Sequence, residues 1–443
     1  MSRSMESVKP PRIWRRSSFG TAGWVLAGLL SLAMANPARA QHAAQWPSRE
    51  PTAIDTTLEA AEADDQPEFK RPLDKINNFN FGWTTFRYGY GALVDFVSYS
   101  QDQAAKQQTP AEADIGLRDA RLLFKGKFAT KRSVTWTMGI MYDGPTKSWF
   151  FRQTGLMIAV PEISSHFFIG RTKEGYSMYK HMVGYDIWTM ERSPFLDAFI
   201  PILGDGIKWI GAAPKARLSW QLAYFGDAIS EDEKFSTYDH QLVGRLVWLP
   251  VESNTRLLHL AIMGRDTKPD NGQFQPRSRP ESFLSPYYVD AGKFPSDHAR
   301  TAGFEAYYRN GPWLFGGEWG WQFMDAPTAG DPTFNGGNVS VVWLATGETR
   351  GYNNVSNYFN AVHVKRSVFD GGPGAIEPAL NVSYIDLNGG NRRGGTFWRV
   401  TPSVKWHLID YMRVELAYGY GKLDRFDLKG TTNFFQGRLI IAY

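Results

Sequence analysis

The sequence predicts an all-β fold: a transmembrane antiparallel β-barrel of about 16 strands, with long loops at one end. Three observations predict it. The chain opens on an export signal. No later stretch holds the ~18 uncharged apolar residues that a spanning helix needs. From Phe79 onward the chain breaks into segments of roughly ten residues that alternate apolar and polar side chains. Composition agrees, with 15% aromatic residues, Trp 16 and Tyr 20 spread along all 443 positions. Trp and Tyr gather where lipid meets water, so that spread suits a barrel with aromatic belts. The chain has no cysteine, which excludes a disulfide framework and a thiolate metal site.

Residues 1–40 read as a secretory signal peptide. Arg15 and Arg16 close a basic start, an apolar run follows from Ala22 to about Ala35, and Ala38-Arg39-Ala40 offers a small-residue cleavage site before Gln41. This signal also explains the formal net charge of +5. It carries Arg3, Lys9, Arg12, Arg15, Arg16 and Arg39 against the single acid Glu6, so its removal leaves basic and acidic residues balanced. A nucleic-acid partner argued from pI therefore fails, and any preference for anions must come from where charges sit. Residues 41–78 are polar and acidic, with Pro47, Pro51, Pro67 and Pro72, and read as a flexible periplasmic arm. The barrel domain is expected over 79–443.

The clearest strand is Trp313 to Phe323, where Trp313, Phe315, Trp319, Trp321 and Phe323 share one face, opposite Gly316, Glu318, Gly320 and Gln322. Val134, Trp136, Met138, Ile140 and Tyr142 oppose Thr135, Thr137 and Asp143 in the same way. Trp398, Val400, Val404 and Trp406 oppose Arg399, Thr401, Lys405 and His407. A one-residue slip would put charges in lipid, at ~2–4 kcal/mol for a midplane Arg or Lys. The full set is 83–99, 116–129, 132–142, 149–160, 165–173, 206–213, 216–225, 238–249, 256–266, 300–310, 312–323, 336–347, 374–386, 395–408, 411–422 and 431–443, an even number, as single-chain bacterial barrels require. Short links such as Asn310-Gly311 alternate with long ones such as Gly175–Asp205 and Thr267–Ala299. Glu348–Pro373 breaks the alternation, being long on the side of the short turns. The chain ends on Phe435, Leu439, Ile441 and Tyr443 in alternation, like the terminal strand that barrel-insertion machinery recognises.

Several segments, taken in order, resemble the phosphate-selective porin O and P family. They are Gly170-Arg-Thr-Lys-Glu-Gly175, Tyr179-Lys-His-Met-Val-Gly-Tyr185, Trp188-Thr-Met-Glu-Arg-Ser-Pro194, Tyr307-Tyr-Arg-Asn-Gly-Pro-Trp-Leu-Phe-Gly-Gly-Glu318, Thr346-Gly-Glu-Thr349 and Leu416-Ala-Tyr-Gly-Tyr-Gly421. Gly374-Ala-Ile-Glu377 departs from the pattern, with Ile376 where the family suggests Trp. The resemblance covers about Phe79 to Tyr443. It implies a homotrimeric barrel in the outer membrane of a Gram-negative bacterium, among lipid and lipopolysaccharide, with an inward-folded third loop and a basic pore for phosphate or similar small anions.

Strand parity supplies candidates for the pore wall: Arg121, Lys125 and Lys127 as the densest group, with Arg171, Lys173, Arg245, Arg265, Arg399, Lys405 and Arg438. Guanidinium suits phosphate because its planar donors pair two oxygens and keep their charge. Each such residue also has a structural reading, as a wall charge paired with inward acids such as Asp119, Glu305, Glu377 or Glu415. Lys180, His181 and Arg192 would narrow the pore if the loop from Gly175 to Asp205 folds inward. The alternative function is a general or organic-solute porin without phosphate selectivity. A barrel hydrolase would need a Ser or Asp aligned with His259 or His407, which the spacing does not suggest. No enzyme activity, cofactor or metal is expected, and the scattered histidines lack the spacing of a zinc helix.

Overall fold

The computed structural model describes residues 77–144, 146–226 and 238–443. The expected signal peptide, and the arm as far as residue 76, lie outside the described residues. Sixteen strands follow one another around a closed antiparallel ring. They are β1 (Thr85–Gln101), β2 (Asp114–Lys127), β3 (Val134–Asp143), β4 (Ser148–Val160), β5 (Ser165–Thr172), β6 (Gly204–Ala213), β7 (Leu218–Gly226) and β8 (Tyr238–Glu252). The second half runs β9 (Arg256–Pro269), β10 (His298–Asn310), β11 (Trp313–Asp325), β12 (Thr333–Trp343), β13 (Ala375–Gly389), β14 (Arg392–Ile409), β15 (Met412–Arg425) and β16 (Leu428–Ala442). Each predicted strand has its counterpart, with ends displaced by a few residues.

Closure comes from β1 pairing with β16, from Gly91↔Ala442 to Gln101↔Thr432. β1 overhangs β16 at the end that carries the short turns, which would leave unpaired backbone. Residues Asn78–Asn80 fold back onto that overhang, with Phe79 opposite Phe86, and the Tyr90 amide donates to the Tyr443 carbonyl at 2.9 Å. No edge is left open there to pair with another chain.

Burial is inverted relative to a soluble fold, and that inversion marks the surrounding medium as lipid. Arg399 and Glu377 are 0% exposed, while Ile262 is 64% and Val339 60% exposed. In β11 the exposed residues are Trp313, Phe315, Trp321 and Phe323, and the buried ones include Glu318, Gly320 and Gln322, as alternation predicts. At the turn after β10 the central pair is Gly311-Pro312 rather than Asn310-Gly311. Asn310 faces Trp313 in the ladder, and Gly311 takes the left-handed φ of 55°.

Among the described residues, three long connections fold into the lumen. Two come from the end of the barrel that carries the long loops, between β5 and β6 and between β9 and β10. The third comes from the end that carries the short turns, between β12 and β13, and accounts for the irregularly long link read in the sequence. β12 stops at Trp343, short of the predicted 347, because the chain turns inward at Leu344 to begin this insertion.

Candidate functional site: a basic lumen narrowed from both ends

The β5–β6 connection carries two short helices, α1 (Met178–His181) and α2 (Pro194–Phe199). Its residues Tyr179, Trp188 and Phe195 are 0% exposed, so it is packed inside rather than laid on the rim. The wall is shaped to receive it. Gly303, Gly320 and Gly336 stand side by side on β10, β11 and β12. A Cβ at Gly320 would meet the Phe195 ring at 2.6 Å, and one at Gly303 would meet the Tyr176 hydroxyl at 2.8 Å. This glycine shelf lets the loop lie flat against the strands. The backbone of Met178 donates to Glu305 at 2.8 Å, pinning the start of α1.

The β12–β13 connection rises to meet this loop. Arg350 donates to the Asp186 carbonyl at 2.9 Å and ion-pairs with Glu377 at 2.5 Å. The rings of Trp188 and Phe359 stand 6.4 Å apart, edge to face. Arg245 donates to the Asn357 carbonyl at 3.0 Å. One side of the lumen is thereby filled.

Most of the predicted basic wall residues hold this filling in place. Arg171 makes a two-pronged pair with Asp205 at 2.7 and 3.0 Å. Arg245 pairs with Glu305, which His259 also contacts at 2.9 Å. Arg265 reaches Glu174 at 3.1 Å and the Phe199 carbonyl at 2.9 Å. Lys173 donates to the carbonyls of His181 and Met182. Arg399 bonds Gln436 and the Pro280 carbonyl. Lys405 pairs with Glu415 at 2.7 Å and donates to the Ile187 carbonyl at 2.6 Å. Arg438 grips Asp95 at 2.6 Å and bonds Glu191 and the Met190 carbonyl. Among the described residues, His259 meets Glu305, Tyr352 and Arg245, and His407 meets Glu377, and neither is hydrogen-bonded to a Ser or Asp.

The opposite side keeps a cavity of about 640 Å³ toward the short-turn end, lined by Arg87, Lys125, Lys127, Lys173, Lys208 and His181. No Asp or Glu appears among its described lining residues. The predicted trio on β2 is split between two levels. Lys125 and Lys127 face this cavity, whereas Arg121 sits higher, buried at 2.7 Å from Asp119 and 4.1 Å over the Tyr185 ring. Arg192 joins Arg121 around Gly184. Burial lowers the Arg192 pKa to about 10 and the Lys180 pKa to about 7, and it holds His181 neutral. Although burial opposes ionisation, Arg118 and Arg438 hold the Glu191 carboxyl well below the usual range. These groups form a narrow zone rich in guanidinium between loop and wall.

A scan against family models matches this chain over residues 86–443 to phosphate-selective porin O and P. The chain belongs to that family. It is an outer-membrane channel protein, as its family and fold both indicate. A curated uncharacterized protein of Caulobacter vibrioides is 29% identical over 202 residues, which is 44% of this chain and 39% of that protein. Among solved structures, outer-membrane expressed OmpT of Vibrio cholerae aligns over 83% of this chain and 100% of its own, at 12% identity and TM-score 0.53. The outer membrane channel DcaP of Acinetobacter baumannii aligns over 82% and 99%, at 8% identity and TM-score 0.53. Likeness at that identity concerns the barrel fold alone.

Within this porin, sequence reasoning passed over Arg152 and Lys208. Arg152 faces inward beside Met141 Sδ at 3.1 Å, next to a bulge opposite Met138–Ile140. The exposed Trp149 and Phe151 flanking that turn of the strand were the available signal. Lys208 donates to the Lys173 carbonyl at 3.1 Å, and its lipid-facing neighbours on β6 were too weakly patterned to mark it.

Proposed function

We propose that this porin passes small anions by diffusion, phosphate among them, through the gap between the inserted loop and strands β1–β6. The observation that carries the reading is a set of cations along that gap that form no ion pair with a carboxylate among the described residues. Lys208 bonds a carbonyl and a hydroxyl, Arg152 a thioether, and Arg192 two carbonyls. Rings of Arg and Lys favour anion entry, provided binding stays weak enough for release. The reading also takes the mature barrel as a homotrimer, delivered by the insertion machinery after cleavage between Ala40 and Gln41. N-terminal mass analysis and native electrophoresis of extracted protein check both points.

Reversal potentials in a potassium chloride gradient test the selectivity. The expected sign favours chloride, and a channel favouring potassium rejects the reading. Phosphate or pyrophosphate added to the bath should then reduce the chloride current. Unchanged current would leave a general anion porin without phosphate preference.

A further inference from the structure

We propose that the extracellular vestibule is a stacking track for planar aromatic anions, of which aryl carboxylates are the simplest. This deepens the anion reading above and rests on it. The β9–β10 connection crosses the mouth of the barrel. Ser285 bonds Tyr99 of β1 at 2.5 Å, Leu284 lies against Gly116 of β2, and Glu281 accepts from Asn381 of β13 at 3.2 Å. Along this bridge guanidinium groups and rings alternate. Arg277 lies 4.2 Å over the Tyr287 ring, and Arg279 lies 4.2 Å from the same ring and 5.1 Å from Phe283. Arg118 of the wall then lies 3.5 Å over Phe283. Arg118 is itself bound to Glu191 of the inserted loop at 3.0 Å, so the series leads from the outer solution to the narrow zone.

The series begins and ends on a cation. Arg277, at the outer end, is exposed, and among the described residues neither Arg277 nor Arg279 forms an ion pair with a carboxylate. A guanidinium resting on a ring still presents its in-plane N–H groups, which pair with two carboxylate oxygens. Its far face remains a surface on which another ring can stack. An inorganic oxyanion would use only the N–H edges, and the rings would add nothing to its recognition. A planar aryl carboxylate uses both, extending the alternation by its own ring while its oxygens take the adjacent edge. Tyr287 and Phe283 hold the guanidinium planes in the orientation that this requires, with Arg279 steadied by the Ser285 carbonyl and the Tyr287 hydroxyl, each at 3.1 Å.

The test compares benzoate with acetate, equal in charge and differing in the ring, as blockers of potassium chloride current through single channels. Benzoate should halve the current at a concentration roughly ten-fold lower than acetate does. The ratio should fall toward one in the double variant Phe283→Leu, Tyr287→Leu, which keeps apolar bulk and removes both rings. The chloride preference in plain potassium chloride should be unchanged in that variant. Where the double variant yields no channels, Arg277→Gln should lower the ratio by itself. Equal potency of benzoate and acetate on a chloride-selective wild type overturns the stacking track alone, as does a ratio that survives the variants. A wild type that prefers potassium overturns the anion reading and the track with it.

Discussion

The two halves of the lumen wall carry similar residues to different ends. On β8–β14, inward Arg245, Arg265 and Arg399 lie under inserted loops and terminate on carboxylates, amides and loop carbonyls. On β1 and β2, inward Arg87, Lys125 and Lys127 face the cavity of about 640 Å³. Parity is the same on both sides, and both sets are basic. What differs is whether a loop covers the side chain. A covered charge must be paired or it destabilises the fold, whereas one that faces the cavity keeps contact with solvent.

Breaking a pair on the covered side should have the largest effect. Arg245→Met leaves Glu305 buried with only His259 and a backbone amide, and should cost about 3–5 kcal/mol in urea unfolding of the refolded barrel. Lys127→Met, on the uncovered side, should stay within about 0.5 kcal/mol of wild type. Equal losses would erase the distinction between the halves. Next in size is Gly320→Leu, whose side chain would enter the space of the Phe195 ring. Overpacking there should cost about 1–3 kcal/mol and raise single-channel conductance by lifting the loop from its shelf.

A smaller effect is expected at Lys180, whose ammonium, among the described residues, donates only to the Leu196 carbonyl at 3.0 Å. Burial first, and then the Arg192 guanidinium, bring its pKa down from 10.5 to about 7, while Asp197 and Glu174 offset part of the shift. Between about pH 7 and 10.5 the unfolded chain therefore binds more protons at this site than the folded one does. The contribution of Lys180 to stability should rise with pH through that window, and the penalty should be full below it. Thermal unfolding of Lys180→Met, followed from pH 6.5 to 10.5, should show a flatter slope than wild type.

The barrel itself was legible in the sequence because lipid on one side and water on the other force a period of two, which survives even where strand ends blur. Trp313 to Phe323 could be assigned face by face. The role of each charge was not legible, because it depends on contacts between residues far apart in the chain. Nothing near Arg438 announces that the Met190 carbonyl will sit on it. The unexplained length of Glu348–Pro373 was a true signal of insertion, but a length does not say which way a segment folds. The glycines at 303, 320 and 336 were visible singly. Their alignment into a shelf depends on register across three strands, which the sequence alone leaves free.

The finest test of the two halves separates selectivity from stability on a single strand. Lys125→Glu with Lys127→Glu reverses charge at two cavity-facing positions, one partly exposed and one exposed, and should leave unfolding within about 0.5 kcal/mol of wild type. Chloride preference, read from reversal potentials, should drop several-fold, since both side chains line the cavity through which ions would leave. Arg121→Glu lies on the same face of β2, but it would set a second carboxylate beside the buried Asp119 and remove the cation over Tyr185. It should therefore lower selectivity and stability together. If all three positions behaved alike in both measurements, the level at which a charge sits on the strand would not matter. Cover by the inserted loop would then no longer explain which cations hold the wall and which face the ion.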